Sequence, residues 1–334
     1  MQRILDNYEE LAEILNSSEK ILFVHGKSAN NFSRLSECLS SVSAKVFHFT
    51  GFTPNPKIED AEEAVRMCAD CDCILAVGGG SAIDTAKYAK MKSPGIPLIA
   101  VPTTAGSGSE ATRFAVLYED GRKLSITDDS IIPDYVMFDP GLLKYLPEYH
   151  RKSSALDAMS HALESFWSVN ATPESRRYSR SALSEITRML DAYPASYDPA
   201  RMLEASYTAG KAINISQTTA GHAMCYKITG IFGTAHGHSA AMCNRVLFRW
   251  LCENSGLPAL DDIAGAMGCE SKLEAAGKFA GIFSRLDMEI PKATDADIEA
   301  LAGSVNPERL KNFPVRLSEA QIVELYREIL DTKE

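Results

Sequence analysis

The spacing of apolar positions changes about half-way along this chain. In the first half, short unbroken runs alternate with stretches of helical period. The runs are Lys20-Ile21-Leu22-Phe23-Val24, Lys45-Val46-Phe47-His48-Phe49, Cys73-Ile74-Leu75-Ala76-Val77 and Pro97-Leu98-Ile99-Ala100-Val101, and the helical stretches fall at 8–16, 30–41, 58–69 and 81–92. Continuous apolar runs mark strands buried on both faces, as in parallel sheets. Their alternation with helices predicts a doubly wound parallel sheet. Residues 113–118 and 123–126 flank Glu119-Asp120-Gly121-Arg122 and predict a hairpin with Asp-Gly near its tip. Val136-Met137-Phe138 ends the sheet-like part. Beyond it helical periods dominate, for example at 152–168, 174–192, 200–215 and 318–331. The boundary is placed near Leu146-Pro147-Glu148, between an α/β domain over residues 1–150 and an all-α domain over residues 151–334.

The 334 residues are 45% hydrophobic and 23% charged, which suits an ordinary folded protein with no need of disulfides. Lys+Arg total 34 and Asp+Glu 44, a net charge of −10. That balance argues against nucleic-acid and acidic-membrane partners. It leaves room for a small anionic substrate, which needs only a few local cations. There is no apolar leader and no 18-residue apolar run, so the expected setting is a reducing cytoplasm with the eight cysteines as thiols. Cys68, Cys71 and Cys73 resemble half of a zinc site, but no second Cys or His pair follows at zinc spacing.

Two glycine-rich segments fall at strand ends. Gly78-Gly79-Gly80-Ser81 opens the helix that carries Asp84 and Lys87. Glycines let a backbone approach a ligand, and a helix N-terminus attracts anions. Ser81 with Asp84 three residues on suggests an N-cap with a capping box. Taken alone, the segment reads equally as a well-capped turn. Pro102-Thr103-Thr104-Ala105-Gly106-Ser107-Gly108-Ser109-Glu110 follows the next strand with small residues and hydroxyls. Ligands of parallel sheets sit beyond the C-terminal strand ends, so two such loops on neighbouring strands favour a nucleotide site over bare turns.

In the helical half, Asp157 and His161 stand at i and i+4, on one helix face. His222 and His236 follow within a weakly charged, apolar stretch. Three imidazoles and a carboxylate suit a divalent first-row metal such as Fe(II) or Zn(II).

With these residues in place, the chain resembles the iron-containing (group III) alcohol dehydrogenases from about residue 20 to residue 250. The resemblance implies a Rossmann-like α/β domain, an all-α domain of dehydroquinate synthase-like architecture, and a metal in the cleft between them. It carries over Asp157, His161, His222 and His236 as metal ligands. It also carries over Gly78, Gly79, Gly80, Ser81, Asp84, Thr103, Thr104 and Ser107 as the cofactor cradle, with Asn55 and Lys123 lining the cofactor cleft. Many relatives hold a proton-relaying His where this chain has Tyr226; a phenol still donates a proton, though with a pKa near 10 it relays poorly at neutral pH. His238 is read as a surface or outer residue and not a fifth ligand.

Several NAD-using relatives carry an Asp just after the first long strand, where this chain has Gly26. Without that carboxylate, Lys27 and Ser28 are available to a 2′-phosphate, so NADPH is expected to be accepted and slightly favoured over NADH. Ser109-Glu110-Ala111-Thr112-Arg113, Glu164-Ser165-Phe166-Trp167-Ser168-Val169 and His222-Ala223-Met224-Cys225-Tyr226-Lys227 resemble a narrower branch, the phosphonoacetaldehyde reductases. That likeness implies reduction of phosphonoacetaldehyde to 2-hydroxyethylphosphonate, with Arg113 or Lys227 gripping the anionic head. Both cations serve equally well as structural ion-pair partners. The alternatives are a general short-chain alcohol, lactaldehyde or glycerol-type dehydrogenase, a dehydroquinate synthase-like lyase, and a non-catalytic binding module. The resemblance also suggests a homodimer.

Overall fold

A computed structural model describes residues 2–26, 29, 31–120 and 122–332. They divide into one unit ending at Pro147 and another starting at Glu148. The first unit runs β1 (Arg3–Leu5), α1 (Tyr8–Asn16), β2 (Lys20–His25), α2 (Ser33–Ser41), β3 (Lys45–Phe49), α3 (Ile58–Cys68), β4 (Cys73–Gly78), α4 (Gly80–Lys92), β5 (Leu98–Pro102), β6 (Phe114–Glu119), β7 (Arg122–Thr127) and β8 (Tyr135–Met137).

Six of these strands form a wholly parallel sheet in the order β1-β8-β5-β4-β2-β3. Alternate residues serve opposite faces, as the two-residue period of a strand requires. Ile21, Phe23, Leu75 and Val101 pack with Leu11, Leu15 and Leu35. Leu22, Val24, Ile74 and Ala100 pack with Ala64, Ile83 and Ala86 on the other side. Both faces are covered, which is why β2, β4 and β5 are apolar without interruption. The chain leaves β2 for β3 on one side and returns to β4 on the other, so the order reverses between β2 and β4. Ligands of open α/β sheets bind beyond such a reversal. The hairpin β6–β7 is a separate antiparallel pair, with Asp120 left-handed at its turn (φ 50°).

The second unit contains α5 (Glu148–Trp167), α6 (Pro173–Asp191), α7 (Pro199–Ser216), α8 (Ala220–Phe232), α9 (His236–Asn254), α10 (Ala259–Ala266), α11 (Lys272–Arg285), α12 (Asp295–Ala302), α13 (Pro307–Leu310) and α14 (Glu319–Ile329). A two-stranded parallel pair, β9 (Lys292–Ala293) with β10 (Asp331–Thr332), lies near its end. Helix α5 is buried all round from Ala155 to Trp167 and packs against α6, α7 and α9. A helix apolar on every side belongs at the centre of its bundle. Polar residues at that centre therefore need a reason, and Asp157, His161 and Glu164 are all there. Among the described residues, no helix is long and apolar enough to cross a membrane.

Candidate active site

In the first unit, pairing of β4 with β5 sets Gly78 beside Pro102, so both glycine-rich loops leave the sheet side by side. Thr103 N–H donates to the Gly78 carbonyl at 3.0 Å, and Gly26 N–H donates to the Val77 carbonyl at 3.3 Å. The glycines are required by close packing. A Cβ on Gly78 would lie 2.5 Å from Ala82 Cβ, one on Gly79 3.1 Å from Thr104 Oγ1, and one on Gly80 3.1 Å from Ser107.

The expected capping box is absent. Helix α4 starts one residue earlier, with Gly79 as an N-cap that has no side-chain hydrogen bond. Its first N–H groups are thus left to a ligand or solvent rather than to a cap. Ser81 turns away and donates to the Pro54 carbonyl, tying the Pro-Asn-Pro loop to α4. In that loop Asn55 is exposed, and its carbonyl accepts from Thr53 Oγ1 at 2.8 Å. Asp84 faces neither cap nor solvent. It accepts from Ser109 Oγ at 2.5 Å and Val116 N–H at 3.0 Å, so it braces the second loop and the hairpin. Lys123 lies opposite Tyr118 in that hairpin. Lys27 and Ser28 lie outside the described residues.

Lys87 is wholly buried and donates to the Phe114 carbonyl at 2.8 Å and Thr112 Oγ1 at 3.1 Å. Burial depresses its amine to about 8, against the pull of Asp84 and Glu110. Burial likewise pushes Glu110 up to about 7. This cluster holds the hairpin onto α4. The three neighbouring cysteines are all buried, and among the described residues the donor atoms that converge as a metal-ligand group are those of Asp157, His222 and His236, not these thiols.

In the second unit, α5 supplies Asp157 and His161, α8 supplies His222 in its first turn, and α9 begins at His236. The Nε2 atoms of His222, His161 and His236 lie 3.4, 3.9 and 3.9 Å from Asp157 Oδ1. The donor atoms of Asp157, His222 and His236 are all within 4.8 Å of one another. His161 adjoins this trio, its ring stacked on His222 at 4.6 Å and 15°. Around an ion bonded at about 2.1 Å, tetrahedral donors stand roughly 3.4 Å apart. Asp157 and His222 already stand at that spacing, and the trio as a whole spans no more than 4.8 Å.

Asp157 Oδ1 and His222 Nε2 are buried with no hydrogen-bond partner, although they face each other. Buried polar atoms are almost always partnered. Two orphans of complementary ligand type at this spacing fit a divalent cation. Burial opposes charge on Asp157, yet His161 and the other imidazoles hold its carboxyl well below the usual range. Burial also opposes a proton on His222, and the Glu164 carboxylate outweighs it and raises its basicity.

Two close approaches make the site possible. A Cβ on Gly237 would stand 2.2 Å from the Ser153 carbonyl and 2.5 Å from Asp157 Cβ, so glycine lets α9 touch α5 beside the ligands. A Cβ on Gly221 would stand 2.2 Å from Asn244 Oδ1 and 2.5 Å from Glu164 Oε1. Sequence reasoning gave Glu164 no role in the site. Its signal was the position, seven residues after Asp157 and so on the same face of α5.

The Tyr226 ring stacks on His236 at 5.5 Å and 9°, and its hydroxyl accepts from Arg309 Nη1 at 2.7 Å. Arg309, on α13, also had no local signal. Lys227 is exposed and, at 100° per residue, lies about 140° around α8 from His222. Arg113 pairs with Asp129 at 3.2 Å in the first unit. His238 is not at the surface: it is buried, hydrogen-bonded through Nδ1 to the Tyr149 hydroxyl at 3.1 Å, and burial pushes it down to about 4.

Residues 4–140 match the family model described as iron-containing alcohol dehydrogenase, and residues 152–330 match that of the C-terminal part of the Fe-containing alcohol dehydrogenase family. The chain belongs to the iron-containing alcohol dehydrogenase family. It is therefore an oxidoreductase acting between alcohol and aldehyde, in a family that uses iron and NAD(H).

A long-chain-alcohol dehydrogenase of Geobacillus thermodenitrificans is 31% identical over 318 residues, covering 83% of this chain and 80% of that enzyme. A phosphonoacetaldehyde reductase of Streptomyces viridochromogenes is 31% identical over 258 residues, 68% of this chain and 64% of that enzyme's length. In structure, a sulfoacetaldehyde reductase from Bifidobacterium kashiwanohense, solved with NAD+, matches with a TM-score of 0.91 at 24% identity, over 100% of this chain and 97% of that one.

Proposed function

We propose that this family member reduces small anionic aldehydes, phosphonoacetaldehyde foremost, using NAD(P)H and a divalent metal held by Asp157, His161, His222 and His236. The orphaned pair Asp157 Oδ1 and His222 Nε2 carries the metal reading. A bound Fe(II), or Zn(II) in its place, supplies a Lewis acid for the substrate oxygen, and the nicotinamide supplies the hydride. The chain's own residues do the rest. Gly26, Gly78, Gly79, Gly80, Thr103, Thr104 and Ser107 form the nucleotide cradle at the strand ends. Tyr226, whose hydroxyl accepts from Arg309, is the proton donor that completes the alcohol.

The anionic head is matched by Arg309, one ring beyond His236, in preference to Arg113 or Lys227. A charge-assisted contact of this kind contributes about 1.5–3 kcal/mol, roughly 10- to 100-fold in affinity. In anaerobic Fe(II)-loaded enzyme, Arg309→Ala is expected to raise KM for phosphonoacetaldehyde roughly tenfold or more and to leave KM for a neutral aldehyde of similar size little changed, while kcat falls for both because Tyr226 loses its donor. Equal changes in KM for both would remove Arg309 from the substrate site. The same assay run with both cofactors tests the NADPH preference, which comparable kcat/KM values or a preference for NADH would overturn.

A second reading, a dehydrogenase of neutral alcohols, is favoured by the pairing of Arg113 with Asp129 and by the exposed position of Lys227. Uniform kcat/KM across charged and neutral aldehydes would select it. Absence of turnover with either cofactor, despite bound metal, would point to lyase chemistry.

A further inference from the structure

We propose that Glu164 is the positioning residue of the metal centre: by accepting the Nδ1 proton of His222 it fixes the tautomer whose Nε2 lone pair faces Asp157. The proposal rests on the reading of His222 as a metal ligand. Glu164 is fully buried, and both its oxygens are committed. Oε2 accepts from Thr219 N–H at 2.5 Å and Thr219 Oγ1 at 2.8 Å. Oε1 accepts from Asn244 Nδ2 at 2.8 Å and lies 2.5 Å from His222 Nδ1.

An ionised carboxylate has only acceptors, so every group facing it must donate, Nδ1 included. In a neutral imidazole the other nitrogen then carries the lone pair. That nitrogen, Nε2, is the buried atom without a partner, 3.4 Å from Asp157 Oδ1. A carboxylate behind a metal-ligating histidine is a recurring arrangement that sets ring orientation and ligand strength. The side chain left out at Gly221 supports the assignment. A Cβ there would collide with Glu164 Oε1 and Asn244 Oδ1, so the chain keeps this approach open.

The competing explanation is that Glu164 only ties α5, α8 and α9 together. Glu164→Gln separates the two. Glutamine has one acceptor oxygen and one donor NH2. The Thr219 backbone N–H cannot reverse, so the amide oxygen must face it and the NH2 must face His222. Asn244 can accommodate this by rotating its amide, because its Oδ1 has no other partner. His222 must then accept at Nδ1 and carry its proton on Nε2, where it cannot bind a metal. The packing survives and the ligand does not.

Zn(II) affinity is measured by chelator competition on the full-length wild type and on E164Q. Melting and circular dichroism are recorded on both metal-free proteins, and the histidine tautomers are read by 15N NMR. The expected result is a 10- to 100-fold loss of Zn(II) affinity in E164Q, with an unchanged metal-free fold. His222 should carry its proton on Nδ1 in the Zn(II)-loaded wild type and on Nε2 in the metal-free variant. E164Q that binds Zn(II) within about twofold of wild type would overturn the proposal. So would a Zn(II)-loaded wild type in which Nδ1 of His222 carries no proton, a result that does not depend on the variant folding. A wild type that binds no metal would instead sink the metal reading itself.

Discussion

Asp157→Asn is expected to lower kcat/KM for aldehyde reduction by about 10³-fold or more, and to leave the purified protein almost free of iron. In the proposed ligand set, Asp157 is the one carboxylate among imidazoles. It sits where water is excluded, with only 5% of its surface exposed. There its negative charge attracts a divalent ion far more strongly than it would in solvent. Asparagine keeps the shape and removes the charge. Its amide can also turn an N–H toward His222 Nε2 and occupy the lone pair a metal would use. Bound iron measured per chain, kcat/KM with saturating cofactor, and melting with and without added metal check this together. Wild type should melt higher with metal, because an ion bound only by the folded state stabilises it. D157N should show no such shift. A variant that is iron-replete and active would remove the carboxylate from the ligand set.

Gly237→Ala is expected to cost about 1–3 kcal/mol of stability and to weaken metal binding as well. The added methyl would fall 2.2 Å from the Ser153 carbonyl and 2.5 Å from Asp157 Cβ, and 3.1 Å from Asp157 Cα. Two of these are backbone atoms, so no side-chain rotation relieves the clash and α9 must move off α5. His236 precedes this glycine directly, and Asp157 is the residue struck. The displacement therefore separates two of the proposed ligands. Denaturant unfolding of the metal-free protein reads the packing cost, and chelator competition reads the ligand geometry. Unchanged stability and affinity would show that the two helices have slack that their close approach does not suggest.

Much of this was legible from local pattern. β2, β4 and β5 are buried on both faces and show as unbroken apolar runs. Asp157 and His161 share a helix face through simple i, i+4 spacing. β1 was missed because Arg3 and Ile4 are exposed and the strand exists only by backbone pairing of Arg3–Leu5 with Tyr135–Met137. The Ser81 capping box failed because α4 already starts at Gly80, which puts Ser81 inside the helix with its hydroxyl donated to the Pro54 carbonyl, and because Asp84 is committed to Ser109 and Val116. Glu164 was hidden because a glutamate committed to buried donors and one facing water are the same letter. Arg309 reaches Tyr226 from 83 residues away, which no local spacing reports. Lys227 was read by its closeness in sequence to His222, while the turn of α8 sends it elsewhere.

The interlocking of the two glycine-rich loops bears on how this enzyme could be re-engineered. Gly79 leaves the room that Thr104 fills, and Gly80 the room that Ser107 fills, while Asp84 on the first segment grips Ser109 on the second. The loops are therefore two halves of one cassette. A chimera that imports either from a relative with different small residues would clash or leave a void at the seam. Grafting residues 78–109 as a single block keeps the seam intact.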